Sequence, residues 1–346
     1  MRFLPLVVSL VKDGSGDAAE RRVAASNGKT TRTVVISVVS LLAATSAMVA
    51  ASHPIQSYKF SSFGFPGSVT SDGSGINNNG QVVGHWVDSV GIAHGFLLSD
   101  GEYQSFDVPG ALGTFPQDIN DAGIVVGSFT VLRAGDPVCC ASYGFVRTPD
   151  GQYSTIDYPT TNSEIPLTWL FGINNMGQMV GGYNEFELAI PNTSSHGIHS
   201  FLLEGEAFTP IDFPVPISRV HIPVTYAQGI NDAGIIVGGY NDDTEFQQRH
   251  GFIFRNGNYE TLDMPGADFT ELFDINNIGE IIGESLTCAS FAFLYSPKRG
   301  FSCIPDTPKT KPTIRPFLAL GLNDAGQLVG ETTDGDGYFA TPPSAK

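Results

Sequence analysis

Positive charge is scarce in this chain. Its 346 residues include 18 Lys and Arg against 35 Asp and Glu, for a formal charge of −17. An acidic surface repels phosphates and anionic lipid headgroups, which argues against nucleic acid as a partner. Cysteine is equally sparse. Cys139 and Cys140 are adjacent and Cys288 and Cys303 stand fifteen apart, and neither spacing matches a zinc site, so no metal ligand set is assigned. The chain has no Gly-x-Ser-x-Gly, no His-Glu-x-x-His and no phosphate-cradling glycine loop, so the common hydrolase, metalloprotease and nucleotide motifs are absent and no catalytic residue is assigned. Beyond the first fifty residues no apolar period of 3.6 is sustained, which excludes long amphipathic helices.

What the chain has is glycine, proline and phenylalanine, 40, 22 and 24 respectively, with 41% apolar residues overall. That balance is enough for a full core and belongs to short strands between many turns.

Residues 1–51 differ in kind from the rest. Arg2, Lys12, Arg21, Arg22, Lys29 and Arg32 precede the uncharged run "TVVISVVSLLAATSAMVAAS", which ends in small residues. This is the order of a secretory signal peptide, and the run also approaches the length of an N-terminal membrane anchor. The expectation is export, to a secreted, periplasmic or cell-surface location, with membrane contact only if the leader is retained. The remaining 52–346 segment carries 12 Lys and Arg against 32 Asp and Glu.

Within that segment one phrase returns six times: "GINNNGQVVG", "DINDAGIVVG", "GINNMGQMVG", "GINDAGIIVG", "DINNIGEIIG" and "GLNDAGQLVG". Its anchors are Ile76, Ile119, Ile173, Ile230, Ile275 and Leu322, at a period of about 43 to 57 residues, within the range of propeller blades. Each repeat continues with an "HGF"-like strand, a tight turn such as "SDG" or "RNG", and a fourth stretch such as "EYQSFDVPG". Four short strands per repeat follow, joined in chain order into an antiparallel sheet. Phe106 and Val108 point to one face and Tyr103 to the other, so both faces need cover. Radially packed sheets supply it for every copy.

The ends decide between a closed ring and an open solenoid. The sixth repeat stops after its third strand at "YFATPPSAK", and "KFSSFGFPG" near the start matches the strand it lacks. Pairing the two would remove two exposed sheet edges. The expected fold is therefore an all-β, six-bladed β-propeller with four antiparallel strands per blade, closed by the N-terminal strand. Approximate blades are 68–110, 111–160, 161–214, 215–266, 267–306, and 307–341 plus 55–67. Cys288 and Cys303 would occupy neighbouring strands of one blade and are candidates for a disulfide in an exported protein.

The ordered elements "GINNxGQVVG", "HGF" or "HSF", and aromatic "D-x-P-G" resemble the extracellular repeats called the HAF family, over essentially all of residues 55–341. Here Gly or Ser replaces the Ala of that family's name, and "FDVPGA" replaces a "DLGTLGG"-like phrase. The resemblance implies export and a repeated β fold and carries no catalytic residues.

Functional residues are expected where repetition breaks. His94, His199 and His250 share one place with Tyr143 and Phe291, which suggests aromatic packing, and Asp107, Asp157, Asp212 and Asp263 are expected to cap the turn into the next blade. The one-to-two and three-to-four turns are short in every blade, and the insertions fall in the two-to-three and four-to-one loops at the opposite end of the ring. Long loops on one face of a rigid scaffold collect binding residues. Blade 2 offers Arg133 and Asp136. Blade 3 and its approach offer Glu164, Trp169, Glu185 and His196, and blade 4 offers Arg219, His221, Asp242, Asp243 and Arg249. "TTDGDGY" at 332–338 has alternating acids suggestive of calcium, the one cofactor considered, but lacks the later Glu of a calcium loop. The leading expectation is an exported binding module for an extracellular glycan or protein. The alternatives are a polysaccharide lyase or glycoside hydrolase, using Glu164, His196 or His221, and a cell-surface structural repeat without a ligand.

Overall fold

A computed structural model describes residues 58–133, 136–160, 167–187, 195–215, 224–242, 248–305 and 316–343, and every regular element among them is a β-strand. Six antiparallel sheets follow one another along the chain and form a six-bladed β-propeller. Blade 3 shows the plan. Thr168–Ile173 pairs with Met179–Glu187, which pairs with Ser195–Glu204, which pairs with Ala207–Pro210. In blade 1 the first strand is divided into Thr70–Ser71 and Gly75–Ile76, both paired with Val82–Val87. The backbone N–H groups of Asp72 and Ser74 still donate to His85 and Val83 across the gap.

The ring is sealed as the sequence led us to expect. Lys59–Phe63 lies antiparallel to Gly337–Thr341, with Ser61 opposite Phe339, and becomes the fourth strand of blade 6. Tyr58 just before it donates its hydroxyl to the Gly326 carbonyl at 3.0 Å. Both ends of the described chain therefore lie at the short-turn face.

Apolar residues on both faces of each sheet meet those of the neighbouring blades. At the seam of blades 1 and 2, Val83, Phe106 and Val108 pack with Val125, Phe129 and Phe145. One core phenylalanine recurs in the third strand as Phe96, Phe145, Phe201, Phe252 and Phe293, each fully buried. Truncating one such ring costs about 3–5 kcal/mol. Blade 6 places Tyr338 there. Its hydroxyl is buried and has no hydrogen-bond partner.

The repeated phrase folds each one-to-two turn by itself. The Asn77 Oδ1 accepts the N–H groups of Asn79 and Gln81, and Gly80 takes a φ of 76°, a left-handed conformation that a side chain would strain. The same bonds recur at Asn120, Asn174, Asn231 and Asn323. The closing glycines of the phrase, among them Gly84 and Gly127, serve a close approach of backbones. A Cβ on Gly84 would lie 1.9 Å from the Asp72 carbonyl oxygen and one on Gly127 would lie 2.2 Å from that of Phe115. The close approach is thus to the first strand of the same blade.

At the axis these turns interlock in two closed rings. In the first, each phrase's leading asparagine donates its side-chain amide to the backbone carbonyl of its counterpart in the next blade, from Asn77 to Asn120, Asn174, Asn231, Asn276 and Asn323 and back to Asn77, at 3.0–3.2 Å. In the second ring the following residue alternates between asparagine and aspartate, as Asn78, Asp121, Asn175, Asp232, Asn277 and Asp324. Each Asn Nδ2 bridges the Oδ2 atoms of its two Asp neighbours at 3.0–3.1 Å. An axial cavity of about 60 Å³ remains between them. Asp118 and Asp274 project at its wall where the other blades have glycine, and each accepts its own blade's anchor N–H and that of the next blade, at Ile173 and Leu322. Burial raises both carboxyls above their usual range, and the facing Asp274 charge adds to the effect on Asp118.

The insertion expected as a loop in blade 2 is largely an extended hairpin. Val125–Arg133 and Asp136–Arg147 stay paired through Thr130 with Ser142, Val131 with Ala141 and Leu132 with Cys140. The β-branched Thr130 and Val131 on one arm, facing the small Ser142 and Ala141 on the other, favour continued pairing over an irregular loop.

Cys288 and Cys303 form a disulfide within blade 5. Replacing both with serine is expected to lower unfolding free energy by about 3 kcal/mol, the loop-entropy value for a closure of this length, as measured by denaturant titration. Tyr338→Phe is expected to raise it by about 1 kcal/mol, because the orphaned hydroxyl costs desolvation without return. A destabilised Phe variant would mean that the hydroxyl has a partner.

Candidate functional site

The first strand of each blade runs inward from the long-loop face to the axial turn. Four positions before each anchor stand Asp72, Phe115, Trp169, Tyr226, Glu271 and Leu318. Their partners on the second strands are His85, Ser128, Gly182, Gly239, Glu284 and Glu331. This level changes chemistry from blade to blade. It forms a belt around the axis at the long-loop end, with aromatic side chains in blades 2, 3 and 4 and carboxyl groups in blades 5, 6 and 1. Phe115, Trp169 and Tyr226 are half-buried. The glycines opposite Trp169 and Tyr226 make room for neighbouring side chains, Phe171 and Trp169 at Gly182, and Glu271 and Arg249 at Gly239.

The acidic arc has two centres. In blade 1 the His85 Nδ1 lies 2.8 Å from the Asp72 Oδ1, and the imidazole stacks edge-on against Phe115 at 5.5 Å. Burial disfavours the His85 cation, but Asp72 and the nearby Glu331 overcome this and raise its pKa. Glu331 is itself raised by burial and by Asp72, with His85 opposing. At the seam of blades 4 and 5, Glu271 is only 5% exposed. It accepts the Arg249 Nη1 at 2.6 Å and the Gln228 amide at 2.9 Å. The Arg249 guanidinium also lies over the Tyr226 ring at 4.9 Å and bonds Asn241 through Nε. Glu271 is therefore a charge-matched, fixed carboxylate. Glu284 stands directly across from it and is pushed up to about 7, first by burial and then by the Glu271 charge, against the pull of Arg249.

Outside the belt, three blades repeat a stack of three rings. Phe65, Trp86 and His94 form one, Tyr158, Tyr183 and His199 the second, and Phe213, Tyr240 and His250 the third. The first ring of each comes from the preceding blade, so the stack spans a seam. Each histidine Nδ1 then meets an aspartate thirteen residues on, at 2.8 Å for Asp107, 3.0 Å for Asp212 and 2.6 Å for Asp263. The packing expected of these histidines is present, together with an ion pair that sequence reading missed. Only Asp157, which accepts from Thr168 at the start of the first strand of blade 3, reaches the next blade as expected; the hydrogen bonds of the other three lie within their own blades. Asp212 and Asp263 also accept the N–H of Ser200 and Gly251, so they hold the third strand of their own blade. Asp157, in the blade with Tyr143, bonds Thr168.

Of the residues nominated from sequence, Trp169 and Arg249 are in or against the belt. Asp242 accepts the Gln248 N–H and lies 3.5 Å from His250 Nε2, and Glu185 accepts the Thr160 hydroxyl at 3.4 Å. Arg133 and Asp136 face each other across the end of the blade 2 hairpin, and His196 pairs with Phe186 in blade 3. Glu164, Arg219, His221 and Asp243 lie outside the described residues. The belt residues Phe115, Tyr226, Glu271 and Glu284 were missed because they sit inside strands, not loops. Superposing the six phrases and looking for the level that varies would have found them. Around the 332–338 segment, as elsewhere among the described residues, no group of three or more His, Cys, Asp or Glu could hold a metal ion.

Five exposed apolar side chains, Val69, Val90, Ile92, Leu112 and Leu132, also lie on the long-loop face, around blades 1 and 2. No helix among the described residues is long and apolar enough to cross a membrane.

No family model and no curated protein matches the chain. Solved structures do. The β-propeller domain of the Trilobed protease from Pyrococcus furiosus is 10% identical, covering 81% of this chain and 95% of that one with a TM-score of 0.46. The Penicillium chrysogenum α-L-arabinanase complexed with arabinobiose is 12% identical, covering 83% and 96%, with a TM-score of 0.46. The extracellular domain of a hybrid two component system from B. thetaiotaomicron is 8% identical over 84% of this chain, which spans 40% of that structure, with a TM-score of 0.43.

Glu284 binds an extra proton in the folded state between about pH 4.5, its ordinary value, and about 7. Its contribution to stability is therefore present below that window and declines as pH rises through it. The melting temperature of Glu284→Gln minus that of the parent should grow from pH 5 to pH 8. A difference independent of pH would place Glu284 in a solvated setting.

Proposed function

We propose that this chain is an exported propeller that binds a glycan on its long-loop face, seated on the axial belt. The observation that carries the reading is the coincidence of Phe115, Trp169 and Tyr226 with the three blades whose loops are longest. Half-exposed aromatic side chains at the end of a rigid strand offer apolar surface to sugar rings, Tyr226 with one face already under Arg249, and the carboxyl groups of the opposite arc can accept hydroxyl hydrogens. Both ends of the described chain lie at the other face. The leader and the disulfide support export, since such bonds persist in oxidising compartments. The likeness of the repeats to the HAF family points the same way.

A lyase or hydrolase reading draws on one observation, the juxtaposition of a fixed carboxylate, Glu271, with a neighbour that keeps its proton near neutrality, Glu284. Product formation from a polysaccharide panel that disappears in Glu284→Gln would establish it over simple binding.

The binding proposal is tested by a glycan array followed by titration of the best ligand. Trp169→Ala and Tyr226→Ala are each expected to weaken affinity about tenfold or more, the usual consequence of truncating a central aromatic anchor. Unchanged affinity in both variants, or an array without saturable binding, would overturn it.

A further inference from the structure

The histidines at the outer ends of the ring stacks lie between two loop systems. His94 makes the point most fully. Its Nδ1 is 2.8 Å from Asp107, in the four-to-one loop, and its Nε2 is 3.5 Å from Asp88, in the two-to-three loop. His250 repeats the arrangement, with Asp263 at 2.6 Å on Nδ1 and Asp242 at 3.5 Å on Nε2. His199 has Asp212 on Nδ1 at 3.0 Å. A neutral imidazole carries one N–H, so it can donate to only one of two flanking carboxylates, and the other is left facing a lone pair. The doubly protonated ring donates to both. Its face rests on Trp86, Tyr183 or Tyr240, a placement that favours a cation over the ring.

We propose that His94 forms a pH-sensitive clamp that ties the two-to-three loop of blade 1, at Asp88, to the loop that follows its fourth strand, at Asp107, on the long-loop face. The clamp is closed while the imidazole is protonated and slackens as it loses that proton. The charged groups facing His94 are Asp88 and Asp107, and its ring rests on Trp86. Both carboxylates act in one direction, toward the cation. His94 follows that expectation. Burial works against its charge, and the bonds and charges of Asp107 and Asp88 outweigh it, leaving the pKa raised.

A histidine raised in the folded state stabilises it fully below about 6.5, the ordinary value, and that stability is lost as pH rises through the folded value. The loops should therefore be tightest on the acid side of neutrality and loosen above it. The clamp reaches loops that flank the belt without touching the belt itself. It does not depend on the ligand proposed above, and its test needs none.

The test is a histidine titration by NMR on the intact folded chain, together with amide hydrogen exchange of the segment 88–93 at pH 5.5 and pH 8.5, corrected for intrinsic rates. His94 is expected to titrate above 6.5. Asp88→Asn should return it toward that value, and the segment should exchange several-fold faster at pH 8.5 in the parent chain. Trp86 and Phe65 remain in place in Asp88→Asn, so the fold is retained. Titration of His94 at or below 6.5 in the parent chain, or equal corrected exchange at the two pH values, would overturn the clamp. The titration requires no variant, so a misfolded substitution cannot obscure the result.

Discussion

The propeller is held at its axis by two hydrogen-bonded rings that can close only on themselves. The Asn78 side-chain amide has two N–H donors and spends one on Asp121 and the other on Asp324, and Asn175 and Asn277 do the same with their neighbours. Every aspartate Oδ2 in turn accepts from both sides. Donors and acceptors must therefore alternate, and an alternating ring closes without a mismatch only if the number of blades is even. A five- or seven-blade version of the same phrase would set two carboxylates or two amides side by side. Each bond contributes on the order of 1 kcal/mol, but none forms fully until the last blade is in place. Strand pairing at Lys59–Phe63 closes the ring at its circumference, and the amide rings close it at the centre.

That double closure explains why variable chemistry collects at one level. Residues at the axial turns are bound to both neighbours, and the apolar residues of each sheet are packed at the seams. The strand ends at the far face satisfy neither constraint. There the chain can place Trp169 in one blade and Glu271 in another without disturbing the ring. It has placed aromatics under the longest loops and carboxyl groups across from them, so the belt differs from side to side although the frame that carries it is nearly sixfold.

Most of the fold was legible because it is written six times. The blade count, the strand order and the closing strand all followed from where the repeated phrases start and stop. The alternation of Asn78, Asp121, Asn175, Asp232, Asn277 and Asp324 was equally visible, yet its meaning depends on which blades are neighbours across the axis, and that is a property of the closed ring. The His94 to Asp107 pairing lay thirteen residues apart in three repeats, but two aligned recurring residues look like two separate packing roles until the third and fourth strands are laid side by side. The belt was hidden for the opposite reason. Reading function from loop length directs attention away from strands, and Phe115 and Tyr226 look like ordinary strand residues.

The same frame accounts for polar groups that a smaller domain would not tolerate. Asp118 and Asp274 stand where the other four blades need glycine, and a Cβ at Gly75 or Gly229 would meet the backbone of Asp118 or Asp274 at 2.7 Å. The two positions are three blades apart, so each bulky residue is flanked on both sides by glycines that make room for it. Their carboxyl groups, raised by burial, reduce stability at neutral pH, as does Glu284. Arg147, 5% exposed at a seam and resting on Phe106 at 4.7 Å, stands where blades 1 and 3 have Leu98 and Leu203. A single hydrophobic core would be loosened by such substitutions. Here each unfavourable group is confined to one seam or one side of the axis, and the remaining seams and both amide rings still fix the geometry of the blade that carries it. Redundancy among six copies is what lets individual blades depart from the frame.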